Sequence, residues 1–214
     1  MRGTHIIQSW EQINTFIDFV NKNDMECSSI LIWGLACFAG LRTSEICGLK
    51  YKDLNWQKKV INIKRIRDTN SSNISRLNKQ RIVAFPEPLM DIIRRVKEEQ
   101  EFITNERVKS DDFIYRRAVD VEKGVLPDPA YISRCIKRDI DKLNHQREQD
   151  GKEPMEHIII EDMRHSFMQH CEGNVDEIEQ KYSIAGGSST KDTGSRDSIN
   201  KYIESVITIN LKER

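Results

Sequence analysis

The sequence predicts a mainly α-helical fold with one small antiparallel β-sheet. Much of the 214-residue chain consists of segments whose apolar side chains recur every three or four positions, which is the period of an amphipathic helix. Two short segments, residues 60–64 and 81–85, instead have the pattern of strands and are expected to pair as a hairpin. Because no internal repeat or interdomain linker is visible, we expect a single domain over residues 1–214.

Three helices are expected ahead of the hairpin. Residues 9–20 carry apolar side chains along one face and form the first helix. Residues 30–39 are apolar almost all round, which is typical of a buried helix. Gly40 is expected to stop that helix, and either Thr43 or Ser44 can cap a short third helix that ends near residue 50.

The hairpin loop and the second half of the chain complete the prediction. Residues 68–78 are polar and rich in Asn and Ser, which predicts a long flexible loop between the two strands. Residues 111–128 are expected to be irregular, and residues 146–153 to form a surface loop. The remaining helices are expected at about residues 88–102, 129–144, 162–171, 175–184 and 197–206.

Composition argues against a membrane or secreted protein. No apolar run is long enough to span a bilayer, and the N-terminus has no secretory signal. The five cysteines lack metal-type spacing, and Cys37 and Cys47 lie in apolar helical stretches, where we expect ordinary buried thiols. These features favour a reducing, intracellular setting.

The charges balance overall but are unevenly distributed. Thirty-four basic and thirty-four acidic residues give no net charge, which is unlike an ordinary nucleic-acid-binding protein. Residues 58–81, however, contain eight basic residues and only one acidic residue, Asp68. Such a run is most often a solvated face, so the alternative of an anion-binding surface needs support from elsewhere in the sequence.

An arginine between two predicted helices is the first candidate site residue. Arg42 lies in the segment 40–49, with the sequence GLRTSEICGL, directly after the buried helix 30–39. Two packed helices would hold its guanidinium in a short turn. Because a guanidinium forms a planar fork that matches phosphate, an arginine fixed in this way suits an anion-binding site.

Four segments, in this order, resemble motifs of the tyrosine recombinase (phage integrase) family. They are residues 40–49, the strand 79–86 (KQRIVAFP), residues 161–167 (EDMRHSF) and residues 185–189 (AGGSS), and Tyr202 follows them where the family's nucleophile belongs. Together they cover about residues 30–205. The four segments in this order are specific to the family, whereas singly only the two arginine motifs would be. The resemblance implies the catalytic-domain fold of that family.

The resemblance also implies a set of catalytic residues. Tyr202 would be the nucleophile, and Arg42 and Arg164 would clamp the phosphate. Lys79 would be the general acid that protonates the departing 5′ oxygen. Arg76 is a close rival for that role, and Lys64 is a weaker one. The full implied set is Arg42, Lys79, Glu161, Arg164, Gly187 and Tyr202.

The same resemblance favours an anion-binding surface at the basic residues 58–81, because in that family the corresponding hairpin contacts DNA. The implied DNA-binding residues are Lys64, Arg65, Arg67, Arg76 and Arg81.

The chain departs from the family at two positions. Glu161 stands where the family has histidine, and Gly187 where it has histidine or tryptophan. A carboxylate at residue 161 would repel the scissile phosphate, yet it could accept a proton from Tyr202 or orient an arginine; helix capping is a further alternative. His165 matches a second histidine of the motif, which we expect to be a packed structural residue.

The resemblance thus implies a site-specific DNA recombinase or integrase that works through a 3′-phosphotyrosyl intermediate, without metal, ATP or other cofactor. Its implied partners are double-stranded DNA and further copies of the chain, as a tetramer on DNA, with no membrane. A non-catalytic DNA-binding relative and a type IB topoisomerase-like strand relaxer are the alternatives.

We expect a cytoplasmic protein encoded by a prokaryote, a virus or a mobile element. The family's N-terminal core-binding domain is not visible, so the chain is either a minimal recombinase or the catalytic part of a longer protein.

Overall fold

The computed structural model describes residues 15, 16, 19, 27–68, 73–116 and 128–172. The side chains of residues 27, 78, 79 and 168–172 are outside this description. In chain order the elements are helices α1 (Cys27–Ala39) and α2 (Thr43–Gly48), a 3₁₀ turn (Tyr51–Asp53), strands β1 (Leu54–Asn55), β2 (Val60–Arg67) and β3 (Ile74–Ala84), and helices α3 (Glu87–Thr104), α4 (Pro129–Gln149) and α5 (Ile160–Glu172). The predicted fold class, helices with a small antiparallel sheet, is confirmed.

Helix α1 is the centre of the core. Residues 28–39 are all buried, and the helix packs mainly against α3 and α5. Trp33 of α1 stacks on Phe16, with ring centroids 3.5 Å apart. Phe16 belongs to the first predicted helix, of which residues 15, 16 and 19 are helical and the rest lies outside the described residues.

The three strands form one antiparallel sheet in the order β1–β2–β3. The predicted hairpin pairs in the register Val60↔Ala84 and Ile61↔Val83, and these four side chains are buried. Strand β3 begins at Ile74, so the predicted loop is shorter than residues 68–78. The end of β2 supplies backbone partners that override the weak local strand propensity of this polar segment.

The later helices match the prediction with shifted ends. Helix α3 extends the predicted range slightly at both ends, and α4 continues to Gln149, so the first residues of the predicted loop 146–153 are helical. Asp128 caps α4 by accepting a hydrogen bond from the backbone N–H of Ala130 at 3.0 Å. The predicted helices 175–184 and 197–206 lie outside the described residues.

The described thiols are buried, as expected for Cys37 and Cys47. Burial raises the pKa of Cys47 to about 12, so this thiol stays protonated. Within the described ranges, none of the helices combines the length and the apolar character needed to cross a membrane.

Candidate active site

The turn that carries Arg42 is fixed from both sides. Gly40 has a φ of +61°, a left-handed conformation that only glycine adopts easily, and its N–H bonds the Ala36 carbonyl at 3.2 Å. Leu41 is fully buried and anchors the turn in the core. Arg42 then begins α2 with an extended backbone, φ −77° and ψ 155°. The predicted helix stop at Gly40 is confirmed.

Glu45 caps helix α2. Its Oε2 accepts a hydrogen bond from the backbone N–H of Arg42 at 2.8 Å. The expectation that Thr43 or Ser44 would be the cap is wrong, because both residues are already inside the first turn. A carboxylate at the third helical position can reach back to the residue before the helix, as Glu45 does here.

Glu45 is also the partner of Arg81, which corrects the prediction that Arg81 binds DNA. The Arg81 guanidinium donates to Glu45 Oε2 at 2.7 Å and to Oε1 at 3.2 Å, and its Nη2 lies 3.4 Å from the Gly40 carbonyl oxygen. Both side chains are almost fully buried. A guanidinium held in the interior by a carboxylate is not available to a DNA phosphate.

The ionised state of Glu45 depends on these partners. Burial alone would raise its pKa, but the charge of Arg81 and hydrogen bonds from Arg81 and Arg42 outweigh burial and lower the pKa below the usual range. Glu45 is therefore a carboxylate in the folded protein.

Helix α2 is packed directly on the backbone of β2. A Cβ added at Gly48 would lie 2.7 Å from the carbonyl oxygen of Arg65, so only glycine permits this approach. The close contact fixes α2, and with it Arg42, relative to the hairpin.

Arg164 enters the site from the first turns of α5. Asp162 caps this helix by accepting a hydrogen bond from the backbone N–H of Ile159 at 3.0 Å. Two residues further on, the Arg164 side chain is only 4% exposed, and its Nη1 lies 3.5 Å from Glu161 Oε1. Because Asp162 provides the cap, Glu161 is free to pair with the arginine.

The fold brings the two predicted arginines together. Burial lowers the pKa of Arg164, and the positive charge of Arg42 lowers it further. Arg81 acts in the same direction, while Glu161 and Glu45 oppose it. Arg42, Arg81, Glu45 and Glu161 are thus near enough to Arg164 for their charges to shift its pKa. We call these five side chains, three guanidinium groups and two carboxylates, the arginine cluster.

Glu161 and His165 lie at the solvent side of this cluster. The Glu161 side chain is 51% exposed, and its Oε1 is 3.6 Å from Nε2 of His165. His165 is itself 41% exposed, so the expectation of a packed structural residue is wrong. The spacing of four residues places both side chains on the same face of α5, at its surface.

The basic residues of the hairpin differ in exposure. Arg65 is half-buried and pairs with the buried carboxylate of Asp53, which also accepts from the backbone N–H of Lys50 at 3.0 Å. Lys64 and Arg67 are partly buried, whereas Arg76 is exposed.

Three predicted catalytic positions have no described side-chain geometry. Lys79 lies within β3, but its side chain is outside the description. Gly187 and Tyr202 lie outside the described residues altogether.

Glu45 and Asp53 are the site residues that sequence reasoning missed. Each is a buried carboxylate that holds an arginine of the hairpin. Glu45 had a signal, since it stands three residues after Arg42, in the position from which a carboxylate caps a helix. Asp53 had none, because its partner Arg65 is recognised only once β2 is in place.

Comparison with known proteins gives one family and several similar structures. The sequence model described as the phage integrase family matches residues 9–176. No curated protein sequence matches the chain. The integrase of the Tn1549 transposon, solved in complex with transposon right end DNA, has 18% identity and a TM-score of 0.68, over 95% of this chain and 66% of that one.

Two further structures have the same fold. XerA recombinase has 17% identity and a TM-score of 0.57, over 100% of this chain and 66% of that one. The integrase from mycobacterium phage Brujita has 13% identity and a TM-score of 0.59, over 98% of this chain and 58% of that one. The chain thus spans about two thirds or less of the length of these solved chains.

Proposed function

The chain belongs to the phage integrase family, the tyrosine recombinases, and from this premise we propose that it is the catalytic domain of a site-specific DNA recombinase. It cuts and rejoins double-stranded DNA through a 3′-phosphotyrosyl intermediate. The observation that carries the proposal is the meeting of Arg42 and Arg164, which come from different helices, in one cluster. The charge of Arg42 disfavours the charged form of Arg164, and a bound anion would relieve this repulsion, so the pair suits a phosphate.

Arg42 and Arg164 hold the scissile phosphate. Their N–H groups bind the two non-bridging oxygens and stabilise the extra negative charge of the pentacovalent transition state. Arg164 is buried and fixed by its neighbours, whereas Arg42 is partly exposed and open to the ligand. A preorganised donor of this kind needs little rearrangement during the reaction.

Tyr202 is the nucleophile. Its phenol oxygen bonds to phosphorus while the bond from phosphorus to the 5′ oxygen breaks, which leaves a 3′-phosphotyrosine and a free 5′-hydroxyl. The phenolic proton is lost in this step, and the excess positive charge of the arginine cluster favours the phenolate. Because the phosphotyrosine retains the energy of the broken phosphodiester, a second 5′-hydroxyl can reverse the step and reseal the DNA.

Lys79 protonates the departing 5′ oxygen. It stands on β3, two residues before Arg81, whose guanidinium is part of the arginine cluster. Arg76 is the rival for this role and lies on the same strand.

Glu161 orients Arg164. Its carboxylate is 3.5 Å from the Arg164 guanidinium, the right distance for an ion pair that fixes the direction of the side chain. The alternative role for this carboxylate is to accept the proton of Tyr202.

A DNA-binding protein without cleavage activity is the second candidate. The observation that favours it is the same contact between Glu161 and Arg164, since a carboxylate paired with the arginine competes with the phosphate for it. In this case DNA binding through the hairpin remains and strand cleavage is absent.

Covalent capture tests the proposal. A pool of duplexes with randomised sequence and one nick, which releases the cleaved end and traps the intermediate, is incubated with the protein and denatured. Recombinase chemistry predicts DNA that stays attached to the protein, and sequencing it gives the preferred site. Tyr202→Phe is the matched control. DNA binding without covalent capture would favour the second candidate. A further assay with two duplexes that carry the selected site separates a recombinase, which exchanges their strands, from a strand relaxer, which does not.

Assembly is the remaining part of the proposal. Exchange of strands between two duplexes needs four cleavages, and we therefore expect four copies of the chain on paired sites. Light scattering of the complex with the selected duplex tests this expectation.

A further inference from the structure

Arg81 links strand β3 to the turn at Arg42. Its guanidinium bonds both oxygens of Glu45, at 2.7 and 3.2 Å, and Glu45 in turn holds the backbone N–H of Arg42 at 2.8 Å. The same guanidinium lies 3.4 Å from the carbonyl oxygen of Gly40, at the other side of the turn. One buried side chain on the hairpin thus contacts both ends of the segment that presents Arg42.

The register of the sheet makes this link important for Lys79. From Ile61↔Val83 to Ile63↔Arg81 the pairing of β2 and β3 is regular. The next recorded pair is Arg65↔Arg76, so β3 advances five residues where β2 advances two. Lys79 lies within this bulged part of β3. Bulges bend a strand and change the direction of its side chains, and Arg81 lies at one end of this one.

We infer that Arg81 is a positioning residue of the active site, which anchors the bulge that carries Lys79 against the turn that carries Arg42. The inference rests on the proposed function, and it replaces the expected role of Arg81 in DNA binding. Arg81 touches neither the phosphate nor the leaving group. It acts through Glu45 on one side and through the course of β3 on the other.

An arginine suits this role better than a lysine. Two N–H donors of one planar group match the two oxygens of a carboxylate, which fixes both the distance and the angle between the two elements. A lysine keeps the charge but makes a single flexible contact. Arg81→Lys should therefore keep an ion pair with Glu45 but lose the fixed distance and angle between strand β3 and the turn at Arg42.

The first experiment separates rate from binding. With the duplex selected by covalent capture, Arg81→Lys should form the adduct about 10²-fold more slowly at saturating DNA, the loss expected for a displacement of about 1 Å at the reacting groups. The DNA dissociation constant and its dependence on salt should stay at the wild-type values. Arg76→Gln, an exposed arginine on the same strand, is the positive control, which should weaken binding and reduce the salt dependence.

The second experiment asks whether the loss acts through the general acid. A duplex with sulfur in place of the bridging 5′ oxygen has a leaving group that needs no proton. If Arg81 positions the strand that protonates the 5′ oxygen, Arg81→Lys should cleave this duplex at nearly the wild-type rate. Lys79→Met is the comparison variant and should show the same recovery.

A folding control keeps the test decisive. Arg81→Gln alone would deprive the buried Glu45 carboxylate of its bidentate partner, whereas Arg81→Gln combined with Glu45→Gln leaves two amides able to bond each other. The double variant should melt cooperatively and still cleave slowly. If the two residues act as one unit, its loss of rate should be much smaller than the product of the two single losses.

The outcomes are distinguishable. A wild-type protein that forms no adduct with either duplex would overturn the proposed function together with this inference. A wild-type adduct with an equally fast Arg81→Lys variant would overturn the inference alone, as would a variant that is slow on both duplexes. Weaker DNA binding by Arg81→Lys with an unchanged rate of adduct formation would show that Arg81 is a DNA-binding residue and would overturn the inference.

Discussion

The carboxylate of Glu45 and the guanidinium of Arg81 form a bidentate ion pair between helix α2 and strand β3, with side chains only 3% and 4% exposed. Removing two charges from water is costly, and their attraction offsets the cost only while both remain ionised. Loss of either charge therefore takes from the other, which stays buried, the ion pair that offsets its desolvation. The pair stabilises the fold at the same place where it aligns the site.

Acid should weaken the protein through this pair. Because the folded-state pKa of Glu45 is lowered, its contribution to stability is complete above the unfolded-state value of about 4.3 and is lost as the pH falls from there through the folded-state pKa. Urea unfolding at pH 7 and below pH 4 should show this loss. The double variant with Gln at residues 45 and 81 is the control. A fall in unfolding free energy that is as large in the control as in the wild type would contradict the prediction.

Local pattern explains which parts of the fold were predictable. The alternation at residues 60–64 and the apolar pattern at 83–85 predict the paired centre of the hairpin, because burial of one face imposes that period. The start of β3 at Ile74 was not predictable, since its polar residues become a strand only beside the end of β2. Likewise, a two-residue strand such as β1 is too short to carry a period.

Site residues that belong to a sequence motif were predictable. Partners that only the fold brings together were not. Gly40 and the buried helix before it located the turn of Arg42. Arg81, in contrast, resembles any basic residue of an exposed hairpin, and only the fold brings it to Glu45, which is 36 positions away in the sequence. Sequence patterns of charge cannot distinguish a solvated arginine from one that is buried with a distant carboxylate.

Tyr202→Phe should abolish the covalent adduct and leave DNA binding nearly unchanged, since only the nucleophilic oxygen is removed. Capture on the nicked duplex measures the first effect, and a mobility-shift titration measures the second. Tyr182→Phe is the matched control, because Tyr182 lies only eighteen residues after Arg164, which is too close in the sequence for the nucleophile. An undiminished adduct in Tyr202→Phe would identify another nucleophile.

Arg42→Ala and Arg164→Ala should each slow cleavage by about 10²–10³-fold, with much smaller effects on DNA affinity, because these donors act mainly in the transition state. Single-turnover cleavage at saturating DNA is the measurement. Arg164 is buried, so Arg164→Lys, which keeps the charge, controls for loss of folding. Equal losses of rate and affinity would make both arginines ordinary DNA contacts.

DNA affinity should fall steeply with salt although the net charge is zero, because counterions are released from each neutralised phosphate. Each hairpin residue that contacts a phosphate should reduce the log–log slope by about 0.9 when it is neutralised. We expect this for Lys64→Gln, Arg67→Gln and Arg76→Gln. Lys97→Gln, on the exposed face of α3, is the control. An unchanged slope in the hairpin variants would mean that the basic segment is only a solvated face.

The motif resemblance places Glu161 where the family has histidine, and the contacts of Glu161 allow a sharp test. Its Oε1 lies 3.5 Å from Arg164 Nη1 and 3.6 Å from His165 Nε2, on the exposed side of the cluster. If the carboxylate orients Arg164, Glu161→Gln should slow cleavage, because the ion pair that fixes the direction of the arginine side chain is lost.

Two further variants separate the alternatives for Glu161. Helix capping belongs to Asp162, so Asp162→Asn should lower the melting temperature, whereas Glu161→Gln should leave it nearly unchanged. If the carboxylate only repels the phosphate, Glu161→His should exceed the wild-type rate, because it removes the negative charge and restores a proton donor. We expect Glu161→His to be slower than the wild type, since the ion pair with Arg164 is lost. Cleavage by Glu161→Gln within about twofold of the wild type would show that the carboxylate has no part in the transition state.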